Sequence, residues 1–262
     1  MENKDFLRVM GSNWWLPEPG DDCSCYLLND DLLIDTGWYS VHNMIEMGID
    51  PTKITTVCLT HTHCDHYIGL AHFLMYWRIK KATLKGLTIV GPKETVRAGF
   101  ERTLNFILHD SRDLHEEIAE MPEIIEMKTG DVFNTGKYTI EAMHTEHAVP
   151  GVAYRITDVA THAVLGVTGD TQYKSEYGPF FHDCNILIHE STFGKGPTDP
   201  EENKYCKHSS AYEAAIVAKE AGAKQLLLVH TCSERHQESV ERAQSMLDIP
   251  VEWAQPFKIY NF

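Results

Sequence analysis

The sequence lacks a hydrophobic segment long enough to cross a membrane. Its longest apolar run, YIGLAHFLMYW at residues 67–77, is shorter than a bilayer span and contains a histidine. The amino-terminal MENKDFLRVM has no apolar core of the kind found in signal peptides. We therefore expect a cytoplasmic protein that is not associated with a membrane.

Cationic residues are scarce as well. The 23 Lys and Arg residues against 38 Asp and Glu residues give a formal net charge of −15, and RIKK at residues 78–81 is the only short basic stretch. A long polyanion is usually bound by a basic surface that releases counterions. Long nucleic acid is therefore disfavoured as a partner, whereas a small anion held at a local positive centre is compatible with this composition.

The chain also lacks a disulfide framework, internal repeats, low-complexity tracts and Pro/Ser-rich linkers. Its seven cysteines are an odd number and are scattered through 262 residues, which is typical of reduced thiols in a cytoplasm. The 43% hydrophobic content fits a globular protein with a substantial core. We expect a single domain over residues 1–262.

Short apolar runs, rich in Val, Ile, Leu and Thr, predict strands along the whole chain. The ten runs are DFLRVM, CSCYLL, DLLID, ITTVCLT, LTIVG, KYTIEAM, GVAYRI, AVLGVTGD, NILIHE and QLLLVH. Apolar spacing of three and four predicts helices over residues 66–78, 93–108, 209–222 and 234–247. This order suits an α/β fold of two mixed sheets with helices outside, in halves of roughly 1–135 and 136–262. The acidic residues 109–122 are expected to be an exposed insertion.

The stretch THTHCDHYIG, residues 60–69, places three histidines and an aspartate within six positions. His61 and His63 leave the strand ITTVCLT two residues apart, and so lie on the same side of an extended backbone. Asp65 and His66 then begin a helix that turns back over the same point. Imidazole and carboxylate groups that converge in this way predict a site for zinc, manganese or iron.

Three further residues that can bind metals follow predicted strands. His147 follows KYTIEAM, Asp170 ends AVLGVTGD, and His230 ends QLLLVH. The carboxyl ends of buried strands are where α/β proteins place their chemistry. His144 is an alternative to His147, because their odd spacing puts them on opposite strand faces or on a turn. With the first cluster, these residues give five histidines and two aspartates, enough ligands for two ions.

The H-x-H-x-D-H motif, followed by isolated His, Asp and His residues, resembles the metallo-β-lactamase superfamily. The similarity runs from LIDTG at residues 33–37 to His230. It implies an αββα sandwich of two ββα halves, with two metal ions at the seam. The resemblance implies one ion held by His61, His63 and His147, a second held by Asp65, His66 and His230, and Asp170 bridging both.

Within that superfamily, the second half of the chain is similar to ribonuclease Z and related phosphodiesterases. The similarity rests on AVPGVAYRI with Tyr154-Arg155, on Glu190 in LIHESTF, and on the HSS segment that joins His208 to His230. In that branch the residue matching His208 protonates the leaving oxygen and the residue matching Glu190 orients it. With Asp65, His208 and Glu190 are the expected catalytic residues. A solvated carboxylate and a helix amino-terminal histidine are the simpler interpretations.

The sequence differs from ribonuclease Z in one feature that bears on RNA binding. Ribonuclease Z carries a long tRNA-gripping arm between the residues matching His147 and Asp170, whereas only 22 residues separate them here. That length accommodates two strands and no arm, so RNA 3′-end cleavage is an alternative rather than the first prediction. The spacing is closer to small phosphodiesterases that cleave cyclic ribose phosphates or cyclic nucleotides.

We therefore predict a dinuclear metallohydrolase that cleaves a small phosphodiester, a cyclic nucleotide or a cyclic sugar phosphate. Zinc is the expected metal, with manganese as the alternative. The two ions would lower the pKa of a shared water so that its hydroxide attacks phosphorus, and His208 would protonate the departing alkoxide. Short oligonucleotides are a further candidate substrate, and clearance of a nucleotide signal by a host or a virus is a candidate role.

A lactonase or β-lactamase-like hydrolase on the same scaffold is the second alternative. The glyoxalase and lactonase branches usually have a Gly-His-Thr stretch at the third histidine motif, and MHTEHAVPG, residues 143–151, does not match it. Related proteins are often homodimers, so we expect a homodimer here.

A third metal is a weaker possibility raised by the cysteines. The related small phosphodiesterases have an extra zinc site in a C-x-C-x-x-C stretch. Here Cys23 and Cys25 are present, Leu28 replaces the third cysteine, and Cys232 would be the substitute. Free cysteine is a normal core residue, so packing is the favoured interpretation.

Two tryptophans stand in the segment GSNWWLPEPGDD, residues 11–22. Trp14 and Trp15 could stack on a base at the mouth of a cleft. A hydrophobic lid over the first sheet or a dimer contact is the favoured interpretation, because aromatic pairs mostly serve packing.

Overall fold

Two seven-stranded sheets pack against each other in this computed structural model, which describes residues 4–108 and 121–262. The first sheet has the order β14-β1-β2-β3-β4-β5-β6. Its strands are β1 (Phe6–Gly11), β2 (Cys25–Leu28), β3 (Leu32–Ile34), β4 (Thr56–Cys58), β5 (Thr88–Pro92), β6 (Glu123–Met127) and β14 (Ile259–Asn261).

The second sheet repeats this arrangement with the order β13-β12-β11-β10-β9-β8-β7. Its strands are β7 (Val132–Asn134), β8 (Tyr138–His144), β9 (Val152–Asp158), β10 (Val164–Val167), β11 (Ile186–Glu190), β12 (Leu226–Val229) and β13 (Val251–Trp253). Each sheet has three antiparallel pairings on one side and three parallel pairings on the other. Parallel strands end at a common edge, so the loops that follow them can converge.

The helices cover the outer faces of the sheets. The described ones are α1 (Ser40–Glu46), α2 (Cys64–Tyr67), α3 (Gly69–Lys81), α4 (Val96–Leu108), α5 (Tyr177–Phe180), α6 (Pro200–Cys206), α7 (Ala211–Ala221) and α8 (His236–Gln244). The helix α7 begins with a capping box, in which Ser210 and Glu213 satisfy each other's backbone N–H groups. It ends at Gly222, whose φ of 62° is the left-handed conformation common at helix ends.

Three apolar layers hold the elements together. One layer lies between the sheets and includes Ile34, Tyr154 and Leu227. A second packs α1, α3 and α4 against the first sheet, and a third packs α5, α7 and α8 against the second. Leu227 is fully buried, so truncation to alanine should cost about 2–5 kcal/mol. This αββα sandwich confirms the predicted fold class.

All ten predicted strands and the four predicted helices are present, with shifted ends. The helix predicted over 66–78 is two helices, α2 and α3. The strands β6, β7, β13 and β14 and the helices α1, α5 and α6 were not predicted. Strand β7 already pairs in the second sheet and β14 returns to the first, so sheet membership does not divide at residue 135. Most of the predicted insertion at 109–122 lies outside the described residues.

No helix among the described residues combines the length and the apolar character needed to cross a membrane.

Candidate metal centre

The histidine motif lies where strand β4 meets helix α2. His61 and His63 are in the connecting segment, and His63 is the residue that precedes α2. Asp65 and His66 are in the first turn of α2 and are buried. Gly69 brings the following helix close to the 36–37 loop, because a Cβ there would lie 2.4 Å from the carbonyl oxygen of Thr36. The predicted strand-to-helix geometry of the motif is confirmed.

The other predicted ligands reach the same edge from the second sheet. Asp170 follows β10, and the preceding Gly169 has a φ of 60° and would place a Cβ 2.7 Å from the Cβ of Thr60. His230 comes directly after β12 with a φ of 65°, and its backbone N–H donates to the carbonyl of Ser12 at 2.7 Å. His147 lies in the loop between β8 and β9.

These seven residues form two groups of possible ligand atoms, each within 4.8 Å of one another. The first ligand group is His61, His63, His147 and Asp170, and the second ligand group is Asp65, His66, Asp170 and His230. Asp170 belongs to both, with its Oδ2 3.7 Å from His61 Nε2 in the first group and 3.2 Å from His230 Nε2 in the second. The grouping is the one that the resemblance implies.

The donor set fits divalent cations. The Nε2 atoms of His61 and His66 are buried and have no well-aligned hydrogen-bond partner in the described chain. Burial disfavours a charged His66, yet Asp170, Asp65 and Asp35 outweigh burial and raise the pKa of His66 well above its usual range. Buried nitrogens without partners beside carboxylates that favour positive charge are what an imidazole–carboxylate metal site requires.

Two residues of this centre were not predicted as part of it. Asp35, just after β3, accepts a hydrogen bond from His66 Nδ1 at 2.8 Å and from the Thr60 hydroxyl at 2.7 Å. The Thr60 hydroxyl also lies 3.1 Å from Nδ1 of His61. Such partners hold a metal-binding imidazole in its ring orientation and tautomer. The signal in the sequence was Asp35 in LIDTG, a carboxylate at the end of a buried strand.

Glu190 and His208 form the predicted pair. His208 Nδ1 donates to Glu190 Oε1 at 2.8 Å, and the Glu190 side chain is fully buried. Burial alone would lower the pKa of His208, but the Glu190 carboxylate outweighs it and raises the pKa of His208 to about 9. His208 also lies beside the ligands, with its ring centroid 4.8 Å from that of His147. The simpler interpretation of Glu190 as a solvated carboxylate is wrong.

A pocket of about 490 Å³ opens onto both ligand groups and His208. Its apolar wall includes Trp14, Trp15 and Phe193. Trp15 is 59% exposed, and the two indole centroids are 5.4 Å apart. The tryptophans therefore line the cleft mouth, which is the position that stacking on a base would require.

Several candidates lie apart from this centre. The Nε2 atom of His144 faces Glu94 at 3.8 Å, and His144 belongs to neither ligand group. Cys23 and Cys25 are buried and Cys232 is partly buried. Within residues 4–108 and 121–262, none of these cysteines joins a cluster of three or more possible ligands.

Comparison with known proteins gives concordant matches. The family described as Anti-Pycsar protein Apyc1 matches residues 25–238. A ribonuclease Z of Oceanobacillus iheyensis is 26% identical over 313 residues, covering 97% of this chain and 99% of the relative. That aligned span is longer than this chain, so the relative carries insertions that are missing here.

Solved structures share the whole fold. The metallo-β-lactamase fold protein YhfI from Bacillus subtilis superposes with a TM-score of 0.82 at 23% identity, covering 100% of both chains. A diphosphatase from the PhnP family superposes with a TM-score of 0.70 at 17% identity, covering 98% of both. These structures show that the metallo-β-lactamase fold is shared over the whole length of this chain.

Proposed function

The chain belongs to the Anti-Pycsar protein Apyc1 family and is a hydrolase of the metallo-β-lactamase fold, and from this premise we propose that it cleaves a small phosphodiester. The proposed substrate is a cyclic nucleotide or a cyclic sugar phosphate. The proposed cofactors are two divalent ions, one in each ligand group. Zinc is the metal that we propose, and manganese is the alternative.

The observation that carries this proposal is the place of His208. It lines the same pocket as the two ligand groups, and its Nδ1 is held by the buried Glu190. Burial opposes a charged His208, but the Glu190 carboxylate raises the pKa of His208 to about 9 and so favours the protonated imidazole at neutral pH. A poor leaving group such as an alkoxide needs that proton, which is why a charged acid beside a metal pair supports phosphodiester cleavage.

The proposed mechanism assigns roles to the residues of this chain. Bound divalent ions would supply stabilisation of developing charge on the phosphoryl oxygens and a lowered pKa for the attacking water. Asp65 and Asp170 would supply the carboxylate ligands of the ions. Glu190 keeps the His208 ring oriented, and His208 delivers a proton from Nε2 to the leaving oxygen. The tryptophan wall, Trp14 and Trp15, would stack on the base or ribose.

The size of the pocket supports a small substrate. A volume of about 490 Å³ lies within the range of pockets that enclose single small molecules. The interval between His147 and Asp170 is filled by the β9–β10 hairpin, whose strands pair from Tyr154 to Thr157. RNA 3′-end cleavage is the alternative that the ribonuclease Z relatives support, but this hairpin has no room for a tRNA-gripping arm.

One substrate panel tests the proposal. Metal-reconstituted protein is assayed on 2′,3′- and 3′,5′-cyclic nucleotides, a cyclic sugar phosphate and bis-p-nitrophenyl phosphate, with a lactone and a precursor tRNA as rival substrates. We expect cyclic diester cleavage that depends on the metal and is lost in Asp170→Asn. Hydrolysis of the lactone or the tRNA alone would reject the proposal. Light scattering on the same sample tests the expected homodimer.

A further inference from the structure

Thr192 lies at the point where the two functional parts of the pocket meet. It follows β11 by two residues, and its hydroxyl oxygen Oγ1 is 2.7 Å from Glu190 Oε2. The same oxygen is 2.9 Å from Nδ1 of His230 and 3.2 Å from Nδ1 of His208. One hydroxyl therefore touches a proposed metal ligand, the proposed acid and the carboxylate that orients it.

The direction of these hydrogen bonds follows from the number of protons. Nε2 of His230 is 3.2 Å from both Asp65 Oδ2 and Asp170 Oδ2, so it points into the second ligand group. A neutral imidazole that offers Nε2 to a metal carries its proton on Nδ1. His230 Nδ1–H must then donate to the Thr192 oxygen. The single proton of the hydroxyl then goes to Glu190 Oε2 at 2.7 Å rather than to the backbone carbonyl of His230 at 3.1 Å, because the carboxylate is the closer acceptor and is charged.

Glu190 accepts hydrogen bonds on both of its oxygens. Oε2 accepts from the hydroxyl of Thr192 and from its backbone N–H at 3.2 Å. Oε1 accepts from the backbone N–H of Thr171 at 2.7 Å and from His208 Nδ1 at 2.8 Å. A fully buried carboxylate with donors on each oxygen stays ionised and fixed in orientation. Among the donors to Glu190 in the described part of the chain, the hydroxyl of Thr192 is the side-chain donor that also contacts a proposed metal ligand, His230.

We propose that Thr192 is a positioning residue that fixes His230 for metal binding and Glu190 for holding His208. The hydrogen bonds run from His230 to Thr192 to Glu190, and loss of the hydroxyl releases both ends. Only the activity measurement below rests on the proposed function, since metal binding and the histidine N–H signals are measured without any substrate.

The test compares Thr192→Val, which keeps the shape and removes the hydroxyl, with Thr192→Ser, which restores it. Ser191→Ala is the control, because it removes a neighbouring buried hydroxyl that donates only to the carbonyl of Val229. Zinc affinity is measured by competition with a chromophoric chelator. In Thr192→Val we expect one of the two ions to bind about 10–100-fold more weakly, as for other lost orienting partners. The other ion, Thr192→Ser and the control should stay close to the unmodified protein.

Two further measurements report on the histidine hydrogen bonds and on His208 as the proposed acid. The imidazole N–H proton resonances of His230 and His208, which such hydrogen bonds protect from exchange, should weaken in Thr192→Val and persist in Thr192→Ser. Turnover in Thr192→Val should fall more for an ordinary diester than for bis-p-nitrophenyl phosphate, whose leaving group needs no proton.

Two outcomes overturn the inference. One is a Thr192→Val protein that binds both ions with unchanged affinity. The other is a Thr192→Ser protein as defective as Thr192→Val, since the hydroxyl would then not be the cause. If the unmodified protein cleaves no phosphodiester, the proposed function fails, and the zinc and N–H measurements still decide the role of Thr192.

Discussion

The two ligand groups share Asp170 yet are supported differently. In the second ligand group every side chain is buried. Its two histidines are hydrogen-bonded through Nδ1 to other side chains, His66 to Asp35 and His230 to Thr192. In the first ligand group His63 is partly exposed, and His147 donates from Nδ1 to the backbone carbonyl of Lys207 at 3.2 Å. The second group is therefore the more rigid and the more strongly anionic, and we expect it to hold its ion more tightly.

The largest effect should come from the residue that the groups share. Asp170→Asn keeps the side-chain size and removes the charge that faces both groups, so both ions should be lost and turnover should fall to background. His63→Ala is the comparison, because it removes a ligand of the first group alone and should leave one tight ion. Metal content after gel filtration measures both. If the Asp170→Asn protein retains two ions, Asp170 is not a ligand that both ions require.

The next effect separates the acid from the metals. His208→Ala should keep both ions and lose about 10²–10⁴ in turnover, the usual contribution of a general acid. The loss should be smallest for a nitrophenyl ester, since that leaving group departs without a proton. Parallel rates on a cyclic nucleotide and on bis-p-nitrophenyl phosphate give the measurement. Full activity of the variant on ordinary diesters would show that His208 is not the acid.

Asp35 provides a direct test of the asymmetry between the groups. Asp35→Asn puts an amide where His66 Nδ1 needs an acceptor, so affinity at the second group should fall about 10–100-fold. The first group should weaken less, because Asp35 reaches its ligand His61 only through the Thr60 hydroxyl. Asp22→Asn is the matched control, a buried carboxylate that accepts from the backbone N–H groups of Trp38 and Tyr39 instead. Equal weakening of both ions would mean that the two groups are not supported independently.

The smallest effect concerns Asp21, which is connected to the second ligand group through the backbone of Ser12. Its carboxylate accepts from the backbone N–H of Ser12 at 2.9 Å, and the carbonyl of Ser12 accepts from the backbone N–H of His230. Burial raises the pKa of Asp21 to about 7. Because the pKa is raised in the folded state, the carboxyl ionises at lower pH in the unfolded chain than in the folded protein. The contribution of Asp21 to the free energy of unfolding is therefore fully present below about pH 4 and is lost as the pH rises to about 7.

Asp21→Asn removes this titration. Melting temperatures at pH 5 and pH 8 should show the unmodified protein losing stability relative to Asp21→Asn over that interval. If the difference between the two proteins is the same at both pH values, Asp21 does not titrate in the interval and the burial argument fails.

Local spacing carried most of the ligand prediction. His61, His63, Asp65 and His66 follow one another on a strand end and a helix start, so backbone geometry alone brings them together. Asp170 and His230 were predictable because each ends an apolar run, and parallel strands end at one edge. The pairing of Glu190 with His208 came from the resemblance rather than from spacing.

The sequence alone determined which residue types meet at the strand ends, since strand and helix periods dictate where each side chain points. Only the tertiary structure decided which partners orient them: Asp35 is 31 residues from His66, and Thr192 is 38 residues from His230. Such contacts depend on the order of strands within the sheets and on how the sheets face each other. That order is set by the burial of apolar faces across the whole chain, which no local pattern records.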